Sequence, residues 1–435
     1  MIEIIRMREN EKREVTLARV RSRNVALDSR LLRQVEAIIQ DVRDHGDVAL
    51  VRYAAIFDNY KLEPSDLRIP EDALRESASR VRPDVLEALR EAIRRVRVFH
   101  TCERQESWNC EASNGVRLGQ RVTPIESVGV YVPGVSASYL SSVVMNIVPA
   151  QIAGASRIVV TTPPGAIQKN PSVAAALVEL NATEIYAVGG AQAIAALAYG
   201  TETVPRVDKI VGPGNRYVAA AKKLVFGVVG IDSLAGPSEV VIIADDTARA
   251  SFIASDLLAQ AEHSEDASAI LVTTSDRLAV EVAEELARQI PTLPRADIAE
   301  KSLTRYGAII IINDMDEACS LVNELAPEHL EIMTRNEEDI ASQIPNAGAI
   351  FLGEHTPEAV GDYLAGPNHV LPTSGAARFS SALGVYDFVK RTSMLKFSTD
   401  ELSRTAHMIM ALARAEGLEA HARSAAIRLE EDVHE

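Results

Sequence analysis

Val128-Gly-Val-Tyr-Val-Pro-Gly134 is the stretch at which the pattern of the chain changes. A short apolar run ends in a Pro-Gly turn, which predicts a buried strand that stops abruptly. Short apolar strands then alternate with helical stretches, from Arg157–Thr162 through Glu239–Ala244 to Ala349–Leu352. This alternation is typical of βαβ units, so we expect an α/β fold with two incomplete Rossmann-like units and mostly parallel sheets.

The segments on either side of this alternating region differ from it in amino-acid composition. Residues 1–24 are polar and rich in Arg and Glu, which indicates an N-terminal arm or a short helix. Asp28 should cap a helix that Gly46 ends. The two α/β units should meet near residue 243, and the tail from about 382 to 435 should be mostly helical. This tail has too few apolar residues for a core of its own, so we expect it to pack on another unit or subunit.

Composition narrows the class of protein. The chain has 435 residues, of which 47% are hydrophobic and only 4% aromatic, so its core must rely on Ala, Val, Ile and Leu. A net charge of −16 argues against nucleic acid as a partner, because phosphate binding needs clustered Lys and Arg. We expect no secretory signal and no membrane span, since no run has the required apolar length. Three cysteines without a CxxC pair indicate a reducing compartment, and we expect the cytoplasm.

Asp256, Gln260 and His263 form the first cluster of candidate functional residues. Their spacing puts them on one face of a helix, and His263 falls where that helix should open into a loop. The plain alternative is a solvated polar face with a histidine at the helix C-terminus, where the helix dipole favours it.

Glu328 and His329 form the second cluster. Pro327 should end the preceding helix, because it disfavours the α conformation of the residue before it. The acid and the imidazole would then share a turn, where both can face one cleft and accept protons in sequence. An exposed charged turn is the alternative.

Two further clusters lie towards the C-terminus. Residues 357–375 are rich in Gly and Pro and carry Asp362 and His369, which predicts a stiff loop that directs polar groups at a ligand. Glu416 and His421 follow in the tail. For the loop, an ordinary surface turn is the alternative.

Four of the clustered residues could share one metal ion: Gln260, His263, Asp362 and His421. They offer nitrogen and oxygen without sulfur, which suits Zn²⁺, with Mn²⁺ as a competitor. Sequence spacing alone does not bring them together.

Two glycine-containing turns could contact a dinucleotide. Gly212-Pro-Gly-Asn215 and Gly189-Gly-Ala-Gln192 each follow a predicted strand and precede a predicted helix. Neither has the full GxGxxG pattern, so a simple packing turn is the alternative for both.

Eight blocks, in order along the chain, resemble the histidinol dehydrogenase family from about residue 25 to residue 430. The blocks are Val130–Gly134, Gly189–Ile194, Gly212–Asn215, Ala235–Glu239, Gln260–His263, Ala326–Leu330, Gly361–His369 and Glu416–His421. The resemblance implies oxidation of L-histidinol to L-histidine with two NAD⁺, through the aldehyde and its hydrate, as the last step of histidine biosynthesis.

The resemblance also implies how the domains are divided. Residues 25–130 should pack with 243–382 as the α/β domain that carries the zinc and catalytic residues. Residues 131–242 should form the second α/β domain, with the NAD contacts. The helical tail, 383–435, should complete the active site of the partner subunit in a homodimer.

Residue roles follow from the same resemblance. The implied zinc ligands are Gln260, His263, Asp362 and, from the partner subunit, His421. His329 is the implied general base for both oxidations, and Glu328 is implied to activate the water that hydrates the aldehyde. Besides these residues, the implied substrate contacts are Ser238, His369 and, across the dimer, Glu416. The implied NAD contacts are Tyr131, Gln192 and Asn215.

Two positions depart from the family pattern, and both lie near the expected NAD loop. Val135 and Leu140 stand where the family usually has glycine and proline. Val135 reduces backbone freedom there, which bears on NAD affinity. Two rival interpretations are a zinc- and NAD-dependent relative that oxidises another primary alcohol, such as a sulfonated diol, and a catalytically inactive metal-binding relative. The intact Glu328–His329 pair favours an active enzyme, and the surrounding blocks favour histidinol.

Overall fold

A computed structural model of the chain describes residues 2–6, 10–23, 28–134 and 140–430. In chain order the strands are β1 (Glu3–Arg6), β2 (Trp108–Glu111), β3 (Arg117–Pro124), β4 (Ser127–Tyr131), β5 (Arg157–Thr162), β6 (Glu184–Ala187), β7 (Lys209–Val211), β8 (Gly230–Ile231), β9 (Glu239–Ala244), β10 (Ser268–Thr273), β11 (Ala308–Ile311), β12 (His329–Met333), β13 (Ala349–Leu352) and β14 (Val389–Lys396).

The helices of the described residues connect and cover these strands. In chain order they are α1 (Asn10–Arg21), α2 (Ser29–Phe57), α3 (Glu71–Ala78), α4 (Pro83–Thr101), α5 (Leu140–Ala153), α6 (Ala166–Lys169), α7 (Pro171–Glu179), α8 (Gly190–Tyr199), α9 (Arg216–Val225), α10 (Ala250–Ala261), α11 (Asp276–Gln289), α12 (Ala296–Tyr306), α13 (Met315–Leu325), α14 (Glu337–Ser342), α15 (Glu358–Tyr363), α16 (Thr399–Ala415) and α17 (Glu419–Glu430).

The chain divides into two compact units, residues 1–103 with 125–388 and residues 104–124 with 389–435. The first unit contains a six-stranded sheet in the order β1-β11-β10-β9-β12-β13 and a five-stranded sheet in the order β6-β5-β4-β7-β8. Neighbouring strands are parallel throughout both sheets. The expected α/β fold with mostly parallel sheets is therefore confirmed.

Both faces of the six-stranded sheet are covered, which explains why its central strands are continuous apolar runs. On one face, Val240 and Ile242 of β9 pack in a core with Leu257 of α10. On the other face, Val241 of β9 packs in a core with Val322 of α13. The alternating side chains of one strand thus serve two cores, and the polar residues that begin β9 and β12 lie together at one edge of the sheet.

The N-terminal segment forms the short helix that was one of the two expectations, as α1, but it is not a free arm. Strand β1 pairs in parallel with β11 at the edge of the six-stranded sheet. Ile5, Leu17 and Val20 are buried and belong to the core on the β9 face that contains Val241. The segment looked polar because most of its residues face solvent, while a few apolar side chains at helical spacing enter the core.

Helix α2 begins as expected and breaks at Gly46 without ending there. The Asp28 carboxylate caps it by accepting a hydrogen bond from the Leu31 N–H, at 2.7 Å. Gly46 has φ 51° and ψ −130°, a conformation that only glycine adopts easily. The chain kinks there and resumes the helix up to Phe57. A glycine can thus interrupt a helix without terminating it when apolar residues continue on the far side.

The second unit combines helices with an antiparallel sheet in the order β14-β3-β2. Strands β14 and β3 pair from Val389–Pro124 to Lys396–Arg117. Residues 104–124, which the expected domain division assigned to the first α/β domain, belong to this unit because of that pairing. Helices α16 and α17 account for the helical tail that the sequence predicted.

No helix among the described residues has both the length and the apolar character needed to cross a membrane.

Candidate active site

A cavity of about 350 Å³ lies at the end of the six-stranded sheet where the central strands β9 and β12 begin. It collects residues from several of the clusters that the sequence singled out. Its lining includes Ser238, His263, Glu328, His329, Asp362 and His369. Strands β9, β10 and β12 all start at this edge, so loops from different parts of the chain converge there.

A sharp turn delivers Glu328 and His329 to this edge. Helix α13 ends at Leu325, and its C-cap residue, Ala326, has φ 49° and ψ 62°. The left-handed conformation costs an alanine about 1–2 kcal/mol, and Pro327 disfavours the ordinary helical alternative. The chain then enters β12, whose first residue is His329. The Glu328 main-chain carbonyl accepts from the Ala349 N–H at 2.9 Å, which fixes the turn against β13.

His329 is a buried imidazole with a defined hydrogen-bond partner. Its Nδ1 lies 3.1 Å from the main-chain carbonyl of Glu239. Because a carbonyl only accepts, Nδ1 must carry the proton, and Nε2 keeps its lone pair. Burial lowers the pKa of His329 to about 4, so the ring is neutral at neutral pH. The arrangement is that of a general base.

Glu328 lies beside His329, and burial changes its pKa in the opposite direction. One carboxylate oxygen lies 3.7 Å from His329 Nδ1 and accepts from the Glu239 N–H at 3.0 Å. Burial raises the pKa of Glu328 well above its ordinary value, and the neighbouring Glu239 carboxylate adds to the rise. A carboxylate with a raised pKa is a stronger proton acceptor once it is ionised.

His263, Glu358 and Asp362 form a group that could hold a metal ion. One ligand atom from each residue lies within 4.8 Å of those of the other two. Glu358 and Asp362 are four residues apart on α15, so one helix turn brings both carboxylates to the same face. The sequence predicted His263 and Asp362 but missed Glu358, because residues 357–375 were expected to form a loop, whereas Glu358–Tyr363 is helical.

Gln260 is fully buried next to this group. With its amide nitrogen facing Glu358, it donates to the two carboxylate oxygens at 2.9 and 3.0 Å. This leaves the amide oxygen, the atom of a glutamine that can bind a metal, free of Glu358. A ligand residue held by a hydrogen bond from behind is the usual arrangement in metal sites. The oxygen and nitrogen atoms present therefore fit Zn²⁺.

A second layer of buried acids lies behind the metal-capable group. The Glu331 carboxylate accepts from the Glu358 N–H at 2.8 Å. Burial raises the pKa of Asp256 to about 6, and burial raises the pKa values of Glu331 and Glu358 well above the ordinary range. Asp256 therefore belongs to this layer and is only 9% exposed, in contrast to the polar-face alternative.

His369 and Ser238 complete the side of the cavity that the sequence predicted for substrate. His369 Nε2 is buried and has no hydrogen-bond partner among the described residues. Burial lowers the pKa of His369, so the ring is neutral at neutral pH. A buried ring nitrogen without a partner is unfavourable in the protein alone and suits a site that receives a polar ligand.

The three expected NAD contacts lie at the carboxyl edge of the five-stranded sheet, where such folds bind nucleotides. Tyr131 ends β4, and its hydroxyl accepts from the Gly190 N–H at 3.2 Å. Gln192 is buried in α8, and its Oε1 has no partner within the described chain. Asn215 caps α9 by accepting from the Tyr217 and Val218 N–H groups.

The remaining expected site residues lie elsewhere. Glu416 directly follows α16 as its C-cap, and His421 lies in the first turn of α17, so both belong to the second unit, and their part in the site remains a prediction. Leu140 is the first residue of α5, and Val135 lies outside the described residues.

The site combines three features: a neutral buried base beside an acid, a group of residues able to hold a metal ion, and a sheet edge of the kind that binds dinucleotides. Together these features define a metal-dependent α/β oxidoreductase. The family model described as histidinol dehydrogenase matches residues 21–429. The histidinol dehydrogenase of Geobacillus kaustophilus is 53% identical over 399 residues, covering 92% of this chain and 94% of that protein.

A second relative and a solved structure agree with this match. The histidinol dehydrogenase of Gluconobacter oxydans is 50% identical over 398 residues, covering 92% of this chain and 93% of that protein. The crystal structure of histidinol dehydrogenase from Elizabethkingia anophelis has a TM-score of 0.88 and 36% sequence identity, with 92% of each chain covered. The chain belongs to the histidinol dehydrogenase family, whose members are NAD- and zinc-dependent oxidoreductases.

Proposed function

We propose that the cavity lined by Glu328 and His329 carries out both steps of the oxidation of L-histidinol to L-histidine. The observation that carries this proposal is the His329 ring, which is neutral, buried and oriented by the Glu239 carbonyl. When bound, NAD⁺ accepts a hydride in each step, and zinc anchors the substrate through its nitrogen atoms.

The two side chains have separate roles in the proposed sequence. His329 Nε2 takes the hydroxyl proton of L-histidinol as hydride leaves the adjacent carbon, which gives the aldehyde. Glu328 then takes a proton from the water that adds to the aldehyde, while the protonated His329 returns its proton to the carbonyl oxygen, which gives the hydrate and restores the base. Glu328 releases its proton to solvent. His329 takes a hydroxyl proton again as the second hydride leaves and releases it to solvent, and loss of the remaining carboxyl proton gives the carboxylate of L-histidine.

The other residues hold the reactants. The proposed zinc ligands are Gln260, His263, Asp362 and His421 of the partner subunit. Glu358 supports this set through its hydrogen bonds with the Gln260 amide. The proposed substrate contacts are Ser238, His369 and Glu416 of the partner subunit, and the proposed NAD contacts are Tyr131, Gln192 and Asn215. We also propose the cytoplasm as location and a domain boundary near residue 243 within the first unit.

The first test is an assay of NADH formation with L-histidinol, with a sulfonated diol and with neither alcohol. We expect NADH only with L-histidinol. Treatment with a chelator should abolish the activity, and Zn²⁺ or Mn²⁺ should restore it, because the donor set contains nitrogen and oxygen without sulfur. A preference for the sulfonated diol, or full activity in metal-free protein, would contradict the proposal.

The second test separates the roles of the acid and the base. His329→Ala should slow both oxidations by about 10²–10⁴-fold, the usual effect of removing a general base. Glu328→Gln should impair oxidation of supplied L-histidinaldehyde more than the first turnover of L-histidinol, because only the aldehyde needs an activated water. As the pH is lowered, the rate of aldehyde oxidation by the unmodified enzyme should begin to fall while the pH is still above 4.5, the ordinary pKa of a glutamate. The reason is that the pKa of Glu328 is raised, so its carboxylate is protonated at a higher pH. The exposed Glu324→Gln serves as the control. Equal impairment of both steps by Glu328→Gln would show that the roles are not divided in this way.

The third test concerns a homodimer with shared sites. Glu416 and His421 are exposed in the second unit, which also exposes Leu395 and Leu412 by 71% and 69%. Apolar side chains exposed to this extent favour packing against a partner copy.

The variants His421→Ala and His263→Ala should each be inactive, and mixing them should restore about a quarter of the activity. About half of freely re-paired dimers are mixed, and one of the two sites in each mixed dimer is intact. If mass spectrometry shows re-pairing and the mixture stays inactive, His421 serves its own subunit.

A further inference from the structure

Glu239 contacts both members of the Glu328–His329 pair through its main chain. Its N–H donates to a Glu328 carboxylate oxygen at 3.0 Å, and its carbonyl accepts from His329 Nδ1 at 3.1 Å. One peptide segment therefore fixes the carboxylate of the acid and the tautomer of the base. A displacement of Glu239 would move both groups at once.

The Glu239 side chain is itself fixed from two directions. One carboxylate oxygen accepts from the Ser374 N–H at 3.0 Å, and the other accepts from Arg23 at 2.5 Å. The Arg23 and Glu239 side chains are only 2% and 10% exposed, so this ion pair is shielded from solvent. A charge-assisted bond in such surroundings resists displacement more than a surface pair does.

Arg23 makes several further contacts besides the ion pair. Its guanidinium donates to the main-chain carbonyls of Asp266 at 2.9 Å and Ser238 at 3.3 Å, and its Nε donates to the Val20 carbonyl at 3.0 Å. The guanidinium also lies over the ring of Tyr306, with 5.6 Å to the ring centroid. The planar fork of an arginine can make these contacts together, whereas a lysine ammonium cannot reproduce them.

We propose that Arg23 and Glu239 are positioning residues that hold the start of β9 so that its main chain orients Glu328 and His329. The proposal rests on the proposed function of that pair. It gives the N-terminal segment a role in activity, because Arg23 lies two residues beyond the end of α1. Neither residue needs to contact substrate or cofactor for this effect.

The test compares Arg23→Gln and Arg23→Lys with a matched control, Arg21→Gln. Arg21 lies two residues away and forms an exposed ion pair with Glu324. For each purified, zinc-loaded protein we would measure kcat and KM for L-histidinol and NAD, together with the thermal midpoint. Arg23→Gln should lower kcat by about 10–100-fold with little change in either KM, because the reacting groups are misplaced while binding remains. Arg23→Lys keeps the charge and loses the fork, so its kcat should lie between those of Arg23→Gln and the control.

The outcomes separate this proposal from the proposed function. Activity of the unmodified protein and of Arg21→Gln with L-histidinol tests the function itself. If these are active and both folded Arg23 variants keep the control kcat, at whatever thermal midpoint, the proposed positioning role is wrong. A rise in KM alone would also contradict it. Should Arg23→Gln fail to fold because Glu239 is left as an unpaired buried charge, the kcat of Arg23→Lys decides between the outcomes.

Discussion

Burial of an acid and a base side by side, where β12 begins, is the constraint on which the active-site architecture depends. Removal from water disfavours the charged form of each group, so it raises the pKa of Glu328 and lowers that of His329. Around neutral pH the imidazole is therefore un-ionised and its Nε2 can accept a proton, while the Glu328 carboxyl holds its proton more tightly than an exposed glutamate would. An exposed pair would instead ionise and attract, which would occupy the base. The surrounding turn, the β9 main chain and the cavity all serve to keep this pair dry and oriented.

Burial also makes a charged carboxylate unfavourable unless a positive charge lies nearby. Glu331, Glu358 and Asp256 are also buried, and their pKa values are raised for the same reason. Arg23 offsets the charge of Glu239, on the core face opposite to α10. On the α10 face, His263, Glu358 and Asp362 direct ligand atoms at one another, and a divalent cation there would offset the charge of the carboxylates. The charge of buried carboxylates is therefore offset differently on the two faces of the sheet. On one face an ion pair offsets it, and on the other face lies a group able to hold a metal ion.

Features of the fold could be predicted from the sequence where the residues that determine them lie close together in the chain. The alternation of strands and helices predicted the parallel sheets, because buried parallel strands are apolar along their whole length. Strands β1, β3 and β14 were missed because each pairs with a strand far along the chain. Strand β2 pairs with its neighbour β3 and was missed because all four of its residues are exposed. The helix break at Gly46 was predicted, but its resumption depends on packing beyond the kink.

The site shows the same division between local and distant signals. Helical spacing grouped Gln260 with His263, and Pro327 marked the turn that carries Glu328. The family blocks assigned roles to these residues. Glu358 and Glu331 were missed because nothing local shows that a glutamate on a short helix or within a strand is buried. Arg23 was missed because its partner, Glu239, is 216 residues away.

On the proposed function, one cavity with one base and one adjacent acid completes both oxidations before the product leaves. The most direct measurement is the amount of NADH formed from a limiting, known amount of L-histidinol, with the products identified by chromatography. We expect two NADH for each L-histidinol, with L-histidine as the product and no accumulation of the free aldehyde. One NADH for each L-histidinol, with the aldehyde released into solution, would contradict it.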